Sequence, residues 1–299
     1  MVTLDSQAGQ RAPTTPRHPR RTRGRMTTWL RTTLISAVLF AVCFVWIYPF
    51  LWMVSSSIKT NAEIFAGLSL FPKAIRLDNY VRAWNDAHIG DYFFNTVFVT
   101  VMSIIISVLA VSMMGYVLGR YRFPGKRVVI GLLAAAIFLP EGYTIIPVFD
   151  LINKLGLQDS LWGITLAEAG GAHVVATLLF AGFFSQLPKE LEEAAMMDGA
   201  GFFRIFWQVY LPLAKPVVAT AVILQFMHSW NDFLLPLVLT LNQPELRTLS
   251  VGIYSFQGEY FTDWSGMAAA ATISLLPIIV LFLFLQRYFV EGVAGAVKQ

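Results

Sequence analysis

The residues of this chain with chemistry to offer stand inside or beside apolar runs. Glu141 and Tyr143 follow Pro140, Glu168 and His173 flank Gly170-Gly171, and Trp230, Asn231 and Asp232 close another apolar stretch. Carboxylates at membrane depth line wet cavities or serve as proton or cation sites. An amide and a carboxylate beside an indole suit a polyhydroxyl solute, with Asn231 and Asp232 meeting its hydroxyls and Trp230 stacking on a ring face. Each assignment has a plainer counterpart. Glu141 can sit at the membrane interface, Glu168 to Gly171 can lie outside a span that starts near Ala172, and Asp232 can cap backbone at a helix break before Pro236. No HExxH, GxSxG or paired aspartates at matched depth occur, so an intramembrane enzyme has no support. Cys43, the single cysteine, lies in an apolar run, which leaves neither a disulfide framework nor a zinc-ligand spacing.

The elements that must position these groups are membrane spans. Of 299 residues, 56% are hydrophobic and 13% charged, against about 25% charge in soluble domains. The sequence predicts an all-α integral membrane protein with six spans: Leu34 to Val54, Phe93 to Leu118, Val128 to Val148 with a break at Pro140, Leu161 to Phe184, Pro216 to Leu239 and Gly266 to Leu285. The first run is too long for a secretory h-region and reads as an uncleaved span. Gly115 and Gly119 in the second allow a close helix approach. Residues 1–31 form a basic tail with almost no large apolar residues before Met26, expected to be disordered and cytosolic.

With both ends inside, sixteen of the 22 Lys and Arg fall on the inner side, among them the four of RYRFPGKR. The formal charge of +4 reflects this orientation and gives no reason to expect nucleic acid. One inner loop breaks the trend. Residues 185–215 hold Glu190, Glu192, Glu193 and Asp198 against three cations. Acids and good helix formers after Pro188 predict a short helix turning at Asp198-Gly199. Phe202, Phe203, Phe206 and Val209 then give a second helical piece an apolar side before Pro212. Orientation does not require those acids, whereas a basic groove on a soluble partner would.

The loop resembles the EAA loop of ABC-importer permeases, through Glu193, Ala194, Ala195, Asp198, Gly199, Ala200, Leu211 and Pro212, with Phe203 and Phe206 on its aromatic side. FPKAIRLDNYVRAW resembles the first outer loop of carbohydrate permeases, SWNDFLLPL a recurrent permease pattern, and Gly295, Ala296, Val297 and Lys298 the ending of the maltose-transporter type. The resemblance implies a type I importer (MetI-like) architecture over residues 32–288, with the 289–299 tail reaching the ATPase interface. It implies a non-catalytic subunit in a bacterial or archaeal plasma (inner) membrane, coupled through a docking helix. Implied partners are a second homologous permease, two ATPase subunits and an extracytoplasmic binding protein, besides membrane lipid. The chain has no GxxxxGK[ST], so ATP and Mg belong to the partner and no cofactor is expected here. The alternative reading is a stand-alone secondary transporter or channel working through Glu141, Glu168 or Asp232.

Overall fold

The computed structural model describes the backbone of residues 23–297 except 141, 172 and 259, and side chains at 29 and 31–286 with the same exceptions. The expected tail up to residue 22, Glu141 and Lys298 lie outside the described residues, as do the side chains of Gly295, Ala296 and Val297. Among the described residues there is no strand, only an isolated bridge between Gln257 and Thr262.

The chain forms two units, divided between Leu51 and Trp52. The first is built on the apolar helix α1 (Arg23–Ser56), which contains Pro49 and has its Leu34-to-Leu51 stretch almost wholly exposed. Its composition suits lipid rather than water.

The second unit is organised on α2 (Ile89–Arg120). Against it pack α5 (Leu161–Ala169), α6 (Val174–Gln186) and α8 (Lys215–Asn231), with α10 (Trp264–Val297) against α8. The expected Gly115 and Gly119 approach is real. A Cβ on Gly115 would overlap the Phe180 side chain, and one on Gly119 would stand 2.8 Å from the Ala181 carbonyl oxygen. Lipid gives helices little hydrophobic reason to associate, so close contact along small residues carries the packing.

Three helices are long and apolar enough to cross a membrane, Arg31–Ser56, Ile89–Arg120 and Trp264–Gln286. Two bent pairs bring the number to five if each counts as one span: Leu161–Ala169 with Val174–Gln186, bent by 52°, and Phe202–Leu213 with Lys215–Asn231, bent by 83°. Three to five spans meet the length and composition of a crossing helix, against the six expected, and the expected break in the third span is present. The third becomes α3 (Lys126–Ala136) and α4 (Ile145–Lys154), each too short to cross alone. The reason is Pro140, which lacks an N–H and disfavours helical backbone at Leu139 before it. The fifth is likewise interrupted, α8 ending at an extended Asp232 and helix resuming in α9 (Leu234–Leu239).

The LDNY segment ties the loop between α1 and α2. Asn79 Nδ2 donates to the carbonyls of Ser57 and Lys59 at 2.9 and 2.8 Å, and Tyr80 shares a 2.6 Å hydrogen bond with Ser57. Lys59 is buried and donates to the Ser69 carbonyl. Arg82 joins Asn79 to Asp263, 3.3 Å away, just ahead of α10.

Candidate functional site: a clamped loop and a buried acid

The first site is the acidic loop. Helix α7 (Glu190–Met197) places three acids in its first turn, where the helix dipole favours them. It ends at Gly199, whose φ of 74° is left-handed; the Gly199 and Ala200 N–H groups return to the Met196 and Ala195 carbonyls at 3.0 and 2.9 Å. This closure turns the chain into Phe202–Ile205, a π-turn at Phe206–Tyr210 and Leu211–Leu213.

What fixes the loop is a buried ion pair. Glu192 Oε2 accepts from Arg120 Nε and from the Tyr210 hydroxyl, both at 3.1 Å, and Oε1 accepts from the Tyr121 hydroxyl at 3.2 Å. Arg120, at the last turn of α2, also donates to the Leu187 and Phe184 carbonyls at 2.8 and 3.4 Å and lies 5.1 Å from the Tyr210 ring centroid. The two side chains are only 5% and 12% exposed. Burial, then the Glu192 charge, holds the Tyr121 hydroxyl above the usual tyrosine range, leaving it protonated to donate.

The loop residues divide between anchoring and display. Phe206 is fully buried, with its ring centroid 5.5 Å from that of Tyr116, so it seats the loop instead of facing a partner. Ala195, Ala200 and Leu211 are half-buried against the same cluster. Glu193, Ala194, Asp198, Gly199, Phe203 and Pro212 are exposed, as are Leu191, Met196 and Trp207, and Met197 is 88% exposed. Displayed thioethers between Glu193 and Asp198, with the exposed Phe203 ring after the turn, give the loop apolar groups beside acids. Sequence reasoning missed Arg120, Tyr121, Tyr210 and the pairing role of Glu192. Their signal was faint, an arginine ending an apolar run and an acid one position before the motif.

The second site lies where α5 gives way to α6. Glu168 is buried in the last turn of α5, and His228 Nε2 of α8 stands 3.3 Å from its Oε2. His173 is half-buried beside it, its Nε2 3.2 Å from the Glu168 carbonyl and its ring 6.1 Å from that of His228. Gln225 Nε2 also reaches that carbonyl, at 3.4 Å. Asp232 is near enough to act on the Glu168 carboxyl through its charge. Its Oδ1 accepts from the Leu234 N–H at 3.1 Å, capping α9.

The remaining expected residues fall elsewhere. Trp230 is buried, stacked on Phe226 at 5.2 Å and met edge-on by Phe93, with Nε1 donating to the Ser274 carbonyl at 3.1 Å. Its face and its N–H are both taken, which corrects the expectation that it stacks on a solute. Asn231 is exposed and donates to the Met227 carbonyl of its own helix, and Tyr143 is exposed. Among the described residues no group of His, Cys, Asp and Glu is arranged to hold a metal ion.

A family model, the binding-protein-dependent transport system inner membrane component, matches residues 23–295. The chain belongs to this family. This permease is 35% identical to a probable ABC transporter permease of Bacillus subtilis, over 90% of each chain. It is 34% identical to the diacetylchitobiose uptake system permease of Streptomyces coelicolor, over 88% of each. Among solved structures, it matches a chain of a bacterial ABC transporter that imports the acidic polysaccharide alginate, with a TM-score of 0.75 and 28% identity over 92% of this chain and all of that one. The permease therefore has the helical architecture of an ABC importer's membrane component, and family membership replaces the stand-alone transporter reading.

Proposed function

We propose that this permease forms half of the translocation pathway for a sugar or related polyhydroxyl solute and is driven by separate ATPase subunits that dock on its Glu190–Leu213 loop. The observation that carries the docking role is the division of that loop. Arg120, Glu192 and Phe206 clamp it to α2, while Leu191, Phe203 and, between Glu193 and Asp198, Met196 and Met197 are displayed. Apolar side chains on a clamped element are an interaction surface rather than a packing remainder. The acids suit a partner groove with basic walls. Closure of the ATPase pair would push α7 as a lever against the end of α2. A second permease, a binding protein and cytoplasmic termini complete the assembly.

Sugar as cargo is supported by the diacetylchitobiose relative and by the polysaccharide importer of similar fold. The test of docking is Met197→Asp in the transporter purified on a tag carried by this chain. The ATPase subunit should no longer co-purify, while the second permease should. Undiminished ATPase recovery with normal solute-stimulated hydrolysis would remove the docking role.

A further inference from the structure

We infer that the α5–α6 break and the adjoining face of α8 form a solute subsite, in which Glu168 and Gln225 accept hydrogen bonds from neighbouring hydroxyls of an uncharged sugar. The inference rests on the sugar-permease reading and adds where this half touches its cargo.

Two buried side-chain oxygens here have no partner, Glu168 Oε1 and Gln225 Oε1, while Glu168 Oε2 faces only the His228 imidazole, 3.3 Å away. Glu168 has a wholly inaccessible side chain and Gln225 is 3% exposed. Buried polar atoms in folded proteins are almost always paired, so acceptors left open on residues that already touch, through Gln225 Nε2 and the Glu168 carbonyl, call for a ligand that donates. They lie beside a 52° bend between two short helices. Irregular backbone at membrane depth is tolerated where it is buried in protein or lines a cavity, and discontinuous helices are where carriers hold their cargo.

The chemistry selects the ligand. A carboxylate offers two acceptors to adjacent hydroxyls, and the Gln225 carboxamide oxygen offers a third. Asp232 adds a second acid, and the basic groups placed against Glu168 among the described residues are the imidazoles of His173 and His228. An anionic sugar would meet two acids there and no lysine or arginine ion-paired to either among the described residues, so nothing in the site offsets its charge. A metal ion lacks its three ligands among the described residues.

The route of access is the α8 face carrying Leu224, Met227, His228 and Asn231, all exposed at helical spacing. His and Asn are costly toward lipid, so this face belongs against a wet pathway or the second permease. The His228 side chain is 52% exposed and covers Glu168 from that side. A rotamer change of this imidazole, without displacement of a helix, would open the carboxylate.

The test uses the assembled transporter, purified through this chain into nanodiscs, with saturation-transfer NMR on maltose, cellobiose, melibiose, diacetylchitobiose and digalacturonate as probes. At least one neutral disaccharide should bind and digalacturonate should not. Glu168→Ala should weaken that binding about tenfold or more, and the shape-preserving Glu168→Gln less. His228→Ala should keep or tighten it, because the cover is removed. A purely structural Glu168–His228 pair predicts equal losses from both alanine variants. That result, binding unaffected by Glu168→Ala, Glu168-dependent binding of digalacturonate, or no neutral disaccharide bound would each overturn the inference. Co-purified ATPase with stimulated hydrolysis, measured on the same samples, separates failure of the subsite from failure of the transporter reading.

Discussion

Removing Glu192 should release the loop from the end of α2. In Glu192→Ala, Arg120 keeps only the carbonyls of Leu187 and Phe184, and the hydroxyls of Tyr121 and Tyr210 lose their acceptor. Breaking a buried ion pair by deleting one partner costs about 3–5 kcal/mol. Glu192 retains 12% exposure at the rim of the bundle, so water can partly replace it and the lower figure, about 3 kcal/mol, applies. At 1.4 kcal/mol per factor of ten, the equilibrium between seated and released loop shifts roughly 150-fold. Hydrogen exchange of the assembled transporter reads this directly. Amides of 190–213 should lose about two decades of protection in Glu192→Ala and in Arg120→Ala, while α10 should be unchanged. The double variant should cost much less than the two losses added, because both delete one interaction. Additive losses, or protection unchanged in either single variant, would refute the clamp.

Gly199→Ala should destabilise the turn after α7 by about 1–2 kcal/mol through its left-handed backbone alone, since no atom lies within 4 Å of the added Cβ. Gly199→Asn should be milder, and loop hydrogen exchange would rank the two. Asp263 supplies a pH dependence: burial by itself would raise its carboxyl, but the Gly266 N–H, Ser265, Arg82 and Asn61 outweigh it and hold the group below its ordinary value of 3.8. Its contribution is therefore complete above the ordinary value and lost as pH falls through the lower folded one. Acid-induced exchange at 256–266 should rise in that window, and Asp263→Asn should remove the step. Trp230→Phe should cost about 1 kcal/mol for the lost hydrogen bond to Ser274, measured by thermal unfolding. Solute affinity should be unchanged; a large affinity loss in a stable variant would restore Trp230 to the pathway.

The apolar runs marked the membrane helices because burial in lipid needs long uncharged segments, and that signal is local. The loop was equally legible, since EAAMMDGA carries its own acids, helix formers and turn glycine in one stretch. The close approach at Gly115 and Gly119 showed in their spacing. Tertiary structure decided which acid works. Glu190, Glu192 and Glu193 look alike in sequence, and only Glu192 meets Arg120, 72 positions away, because α2 ends beside α7. The same holds for Trp230, whose neighbours Phe93 and Ser274 come from distant helices and cover both its face and its N–H. His228 sat unremarkably in an apolar run until α5 brought Glu168 within 3.3 Å. Sequence by itself determined most of the apolar helices and the acidic helix-turn loop, through periodicity and local backbone chemistry. Which side chains are buried, paired or left open was decided by contacts between segments far apart in the chain, which no local pattern encodes.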